Sequence, residues 1–143
     1  MSAKSRNKGA GFEREIAQKL DALLGIKFVR NLEQVRTAAH GDLVADDPDF
    51  PFSCELKRYA NGISCLTAWK VQAVKAAAMC GKIPAVIFRF DRQETRVAVP
   101  LACLVNGRCN DPAEWAEVTL DGFAYACREI MAAQAEAKGR ADV

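Results

Sequence analysis

The spacing of hydrophobic positions changes several times along this chain, and each change marks an element. Phe12, Ile16, Leu20, Leu23 and Leu24 recur at helical spacing, so a helix is predicted from Gly9–Gly11 to about Leu24, with Gly25 as its stop. Residues 1–8 are polar and read as a loose basic arm. Residues 27–30 and 42–45 are short β-rich runs, and the polar stretch from Asn31 to His40 between them has no period and reads as loop. Asp46-Asp-Pro-Asp49 is a turn cluster, and residues 52–57 read as the strand that returns from it to make a hairpin. After the break at Asn61-Gly62 comes a second helix, capped by Ser64 or Thr67 and ended by Gly81. Its apolar face carries Leu66, Trp69, Ala73, Ala77 and Cys80. Residues 84–90 and 96–99 are further strand-like runs, while Leu101–Val105 fits either a short helix or a strand. Asn110-Asp-Pro-Ala is a helix-start signal, with Pro112 suited to a first turn. Thr119 or Asp121 opens the last helix through Phe123, Cys127, Ile130 and Met131, and the polar tail from Ala135 is expected to fray.

The resulting order is α-β-β-β-α-β-β-α. It predicts an α/β fold: a central mixed β-sheet flanked by helices. A chain of 143 residues, half of them hydrophobic and 27% charged, suits one globular domain over residues 9–143, with a helical extension from about residue 111. There is no repeat or low-complexity block. Six cysteines occur without any CxxC pair, and His40 is the only histidine, so a zinc finger or ribbon is disfavoured. The polar N-terminus has no secretory core, and no apolar run approaches the roughly 20 residues of a membrane span. A reducing, cytoplasmic setting with buried thiols is the simple expectation.

The net charge of +2 excludes a histone-like polycation but hides an uneven distribution. Residues 1–36 hold 8 basic and 4 acidic side chains, residues 37–111 hold 9 and 8, and residues 112–143 hold 3 and 6. The excess positive charge therefore sits in residues 1–36; Lys4, Arg6, Lys8, Arg14, Arg30 and Arg36 there, with Arg58 further on, are candidate phosphate contacts if the partner is a nucleic acid.

Candidate chemistry gathers around Glu55-Leu56-Lys57. On a strand, Glu55 and Lys57 share one face while Cys54 and Leu56 turn toward apolar packing. Asp42 opens the partner strand of the hairpin and can come beside Glu55. Two neighbouring carboxylates suit a hard divalent cation, and an adjacent lysine can orient a water or steady a phosphate charge. A Glu-x-Lys on a strand is also common on solvated faces. Glu13 borders the apolar stripe of the first helix, where an unpaired carboxylate is costly, so it needs a metal or a basic partner such as Lys8 or Arg14. Glu15 pairs with Lys19 four residues on.

The ordered set Lys8-Gly-Ala-Gly-Phe-Glu-Arg-Glu-Ile16, Gly41-Asp42-Leu-Val and Cys54-Glu55-Leu-Lys57 resembles the PD-(D/E)XK nuclease superfamily. The likeness is greatest to Holliday-junction resolvases of the archaeal type and their phage-borne relatives, over about residues 8–90. It implies a restriction-endonuclease-like core. It also implies metal binding by Asp42 and Glu55 with support from Glu13, a catalytic role for Lys57 and an auxiliary one for Gln72. The usual proline before the aspartate is Gly41 here, preceded by His40, which could meet a phosphate or the metal. The activity so implied is Mg²⁺-dependent hydrolysis of DNA phosphodiesters, with Mn²⁺ substituting, by a homodimer acting on branched DNA without a small-molecule cofactor. A duplex-cutting or nicking enzyme of the same superfamily, or a nucleic-acid-binding protein without turnover, are the alternatives.

Overall fold

The structure, a computed structural model, describes residues 3–32, 41–105 and 112–141. Its elements are α1 (Ala3–Leu24), β1 (Phe28–Arg30), β2 (Leu43–Ala45), β3 (Phe52–Tyr59), α2 (Thr67–Cys80), β4 (Ile83–Phe90), β5 (Arg96–Pro100), a 3₁₀ turn at Leu101–Cys103, β6 (Trp115–Thr119) and α3 (Leu120–Ala141). The six strands form one sheet in the order β1-β2-β3-β4-β5-β6. Every neighbouring pair is antiparallel except β3 and β4, which run parallel from Phe52↔Ile83 to Tyr59↔Phe90. Parallel neighbours need a crossover, and α2 supplies it.

Strand alternation divides the core in two. Phe52, Cys54 and Leu56 of β3 join Ala85, Ile87, Val97 and Val99 against Phe12, Ile16 and Leu20 of α1 and Phe123 and Cys127 of α3. On the opposite face Val86, Phe88, Phe90 and Ala98 pack on Trp69 and Ala73 of α2. The mixed sheet flanked by helices is thus a three-layer α/β fold.

Four local expectations change. α1 starts at Ala3 rather than Gly9, because the Ala, Lys and Arg residues of the expected arm are good helix formers and Gly9 alone does not stop the run. The C-terminal part is not purely helical: Pro112 and Ala113 sit in a turn, and Trp115–Thr119 forms β6 on the edge of β5. That extra strand satisfies backbone groups which β5 would otherwise leave unpaired. Thr119 is the residue that caps α3, accepting the Gly122 amide on Oγ1 at 3.0 Å. α3 continues to Ala141 instead of fraying at Ala135. α2 has no side-chain cap from Ser64 or Thr67, and its N-cap position is Leu66. Gly81 ends α2 at φ 67°, a left-handed backbone that glycine adopts without strain. Among the described residues no helix is long and apolar enough to cross a membrane.

Candidate active site

The site grows from the β2–β3 pairing. Leu43 faces Cys54 in an antiparallel register, so Asp42 and Glu55 are the next facing positions. The Asp42 amide donates to the Cys54 carbonyl at 2.7 Å, and its side-chain Oδ2 accepts the Leu56 amide at 2.7 Å. This carboxylate is therefore aimed by backbone on both sides. Gly41 makes the approach possible: a Cβ there would lie 2.2 Å from the Cys54 carbonyl oxygen and 2.8 Å from its nitrogen. The proline usual in the resembling motif carries a Cβ too, so this packing accepts only glycine. Asn31 closes the back of the turn. It is buried, its Nδ2 donates to the Gly41 carbonyl at 3.0 Å, and its amide donates to the Asp42 carbonyl at 2.9 Å.

β3 then presents Ser53, Glu55, Lys57 and Tyr59 on the α2 side of the sheet, while Cys54 and Leu56 enter the other core. Glu55 is only 5% exposed. Lys57 reaches across to α2, where its Nζ donates to Gln72 Oε1 at 2.7 Å. The lysine and the auxiliary glutamine expected from the sequence are thus in direct contact.

Glu13 comes from α1. Its Oε2 accepts from Arg30 Nε at 2.8 Å, with both side chains mostly buried. Among the described residues, the basic partner that its position demanded is Arg30 of β1. Among the described residues no three carboxylate, histidine or cysteine side chains converge closely enough to hold a metal ion, so the three-carboxylate set of Glu13, Asp42 and Glu55 is not assembled. The physical reason is that α1 packs on the Cys54–Leu56 face, whereas Glu55 points to the α2 face.

The basic candidates also separate. Arg14 is exposed. Arg30 is engaged by Glu13, and Arg58 by Asp91 at 2.7 Å and by the Tyr59 carbonyl at 2.8 Å, so their charges are balanced inside the fold. Lys4, Arg6 and Lys8 lie on the α1 backbone, with side chains outside the described part. Arg36 and His40 lie outside the described residues.

The pairing of Glu15 with Arg89 was not legible from sequence. Arg89 of β4 grips Glu15 with two hydrogen bonds of 2.5 and 2.9 Å, while Lys19 adds the helical pair at 3.1 Å. These hydrogen bonds, chiefly from Arg89, hold the Glu15 carboxyl at a pKa of about 2. With Glu13–Arg30, this clamps α1 to both β1 and β4. Burial pushes the Cys65 and Cys103 thiols up to about 11, Cys127 to about 12, and Cys54 well above its ordinary value, which disfavours the reactive thiolate at these four positions.

A mixed sheet that carries Asp42, Glu55 and Lys57 on the hairpin, in this order and spacing, defines a nuclease of the PD-(D/E)XK superfamily. The chain belongs to the family described as "Phage putative PDDEXK endonuclease", whose profile matches residues 4–133. No curated protein matches the chain. Among solved structures it is similar to Hjc, a Holliday junction resolvase from the archaeal hyperthermophile Archaeoglobus fulgidus, at 18% identity. That match has a TM-score of 0.48 and covers 76% of this chain and 85% of the other.

Proposed function

We propose that this protein is a divalent-metal-dependent DNA endonuclease that resolves four-way junctions by paired hydrolysis of phosphodiesters. The observation that carries this reading is the facing of Asp42 and Glu55 across β2 and β3, with Lys57 on the same strand face and held by Gln72. Two carboxylates fit Mg²⁺, which prefers a few carboxylates and keeps several waters; Mn²⁺ would substitute. The donor set supports the fit: Asp42 and Glu55 are facing positions of hard oxygen ligands, and the Leu56 amide already orients the Asp42 carboxylate. When bound, the cation supplies Lewis acidity at the scissile phosphate and makes a water more acidic.

Asp42 and Glu55 would hold it, and the Leu56 amide fixes the Asp42 carboxylate before substrate arrives. Lys57 steadies negative charge that develops on the phosphate, or orients the attacking water. Gln72 occupies one of its three ammonium hydrogens and restrains the rest. Glu13, held by Arg30, would support the metal site from α1. Lys4, Arg6, Lys8 and Arg14 on α1, with Arg36 and His40, would contact phosphates, which position DNA without reading its sequence. Paired cuts call for two sites related by a twofold axis, hence a homodimer.

The test is cleavage of labelled four-way junction, fork and linear duplex with Mg²⁺. Paired nicks confined to the junction are expected. Cutting of linear duplex at a defined sequence would instead make this a duplex endonuclease, and binding without cleavage under any divalent metal would make it a binding protein. Asp42→Asn and Lys57→Ala should each abolish cleavage while junction binding persists; full activity in either removes the assigned site.

A further inference from the structure

The Glu55–Lys57 face of β3 continues to Tyr59, the last residue of the strand. Two residues of strand separate Lys57 from Tyr59, about 7 Å. Tyr59 is 49% exposed, yet its ring is firmly backed: it stacks on Trp69 of α2 at 5.1 Å with 26° between the planes. Trp69 is buried and packs in turn on Phe88 and Phe90 at 6.1 and 6.0 Å. β3 and α2 are thus joined by two adjacent rungs, the polar Lys57–Gln72 contact and the aromatic Tyr59–Trp69 contact. The connection that follows carries Ile63 at 88% and Leu66 at 51% exposure, and residues 60–66 contain no charged side chain. An apolar surface with a rigid aromatic ring therefore begins where the polar site ends.

We propose that Tyr59 selects branched DNA, by offering its ring as a stacking platform for a base left unstacked at a branch point. The inference rests on the proposed nuclease function and names what would distinguish its substrate. Every base has a π-face, so such stacking tolerates any sequence. In linear duplex those faces are covered by neighbouring base pairs, and the platform has nothing to bind. At about 3.4 Å per base step, the 7 Å offset places the recognised base about two steps from the phosphate beside Lys57. Continuity with the Lys57–Gln72 rung favours DNA as the occupant over another protein.

The experiment uses the full chain without divalent metal, a four-way junction with 2-aminopurine at the branch point, and a linear duplex with the same label. Wild type should quench the junction label and leave the duplex label bright. Tyr59→Ala should weaken junction binding roughly 5- to 150-fold, the range expected for one lost base stack, and leave duplex binding unchanged. Tyr59→Leu keeps Trp69 covered, so it gives the same readout if the alanine variant unfolds; Tyr59→Phe should behave as wild type. A leucine variant that keeps the wild-type junction preference and quenching overturns the proposal. So does equal loss of junction and duplex binding, or a change of molar mass in light scattering, which would make the patch a protein interface. If wild type neither binds nor cuts DNA, the nuclease reading fails and this inference with it. If wild type resolves junctions and Tyr59→Leu does so equally well, this inference alone fails.

Discussion

Replacing Gly41 by alanine adds one methyl group where the backbone leading into β2 meets the backbone of β3. The new Cβ would sit 2.2, 2.7 and 2.8 Å from the carbonyl oxygen, carbonyl carbon and nitrogen of Cys54. All three are backbone atoms in a strand paired on both sides, so no side-chain rotation relieves the clash. Reaching ordinary contact at 3.4 Å requires a retreat of about 1.2 Å from the oxygen. The Asp42 amide donates to that same oxygen at 2.7 Å, and a shift of this size stretches the bond to about 3.9 Å, where it no longer counts as one. A buried backbone bond lost in this way costs about 1–3 kcal/mol, or a melting temperature lower by about 3–9 °C in a domain of this size. Activity should fall further, because Asp42 moves with its backbone and a displacement of about 1 Å costs about 100-fold in rate. Thermal melting and junction cleavage under Mg²⁺ would measure the two effects on one preparation. A Gly41→Ala protein with wild-type melting and cleavage would refute the account of why glycine stands before the aspartate.

Other outcomes follow from the ion pairs and the backbone. Glu15 has its carboxyl lowered from 4.5 to about 2 chiefly by the Arg89 hydrogen bonds, so its stabilising contribution is whole above pH 4.5 and is lost as pH falls toward 2. Denaturant midpoints of wild type and Glu15→Gln should therefore differ most near neutral pH and converge near pH 2; a gap independent of pH would show that the carboxylate charge is not what Arg89 holds. Arg92, in the β4–β5 turn, has φ 61°, a left-handed backbone that costs a non-glycine residue about 1 kcal/mol. Arg92→Gly should raise the melting temperature by about 3 °C, and a lower one would mean that the arginine side chain contributes more than its backbone strain removes.

Much of this organisation was readable along the chain. The helical stripe of Phe12, Ile16 and Leu20 did become the buried face of α1, and the alternation at 54–57 did separate Cys54 and Leu56 from Glu55 and Lys57. Lys57 and Gln72, to which the family resemblance gave separate roles, touch each other. The misses cluster where local signals compete. Pro112 suits a helix start and a turn equally, so β6 depended on an open sheet edge at β5 that no local pattern reveals.

Periodicity and residue type alone determined the elements other than β6, the two faces of β3 and the order of carboxylates and lysine, because these follow from repeats of 2 and 3.6 residues and from the chemistry of single side chains. The tertiary structure decided the partners. Arg30 neutralises Glu13, Arg89 grips Glu15, Asn31 clamps the turn at Gly41, and Trp69 backs Tyr59. Each joins residues distant in sequence, and such pairings depend on strand order, register and which helix covers which face, none of which is written in a local window.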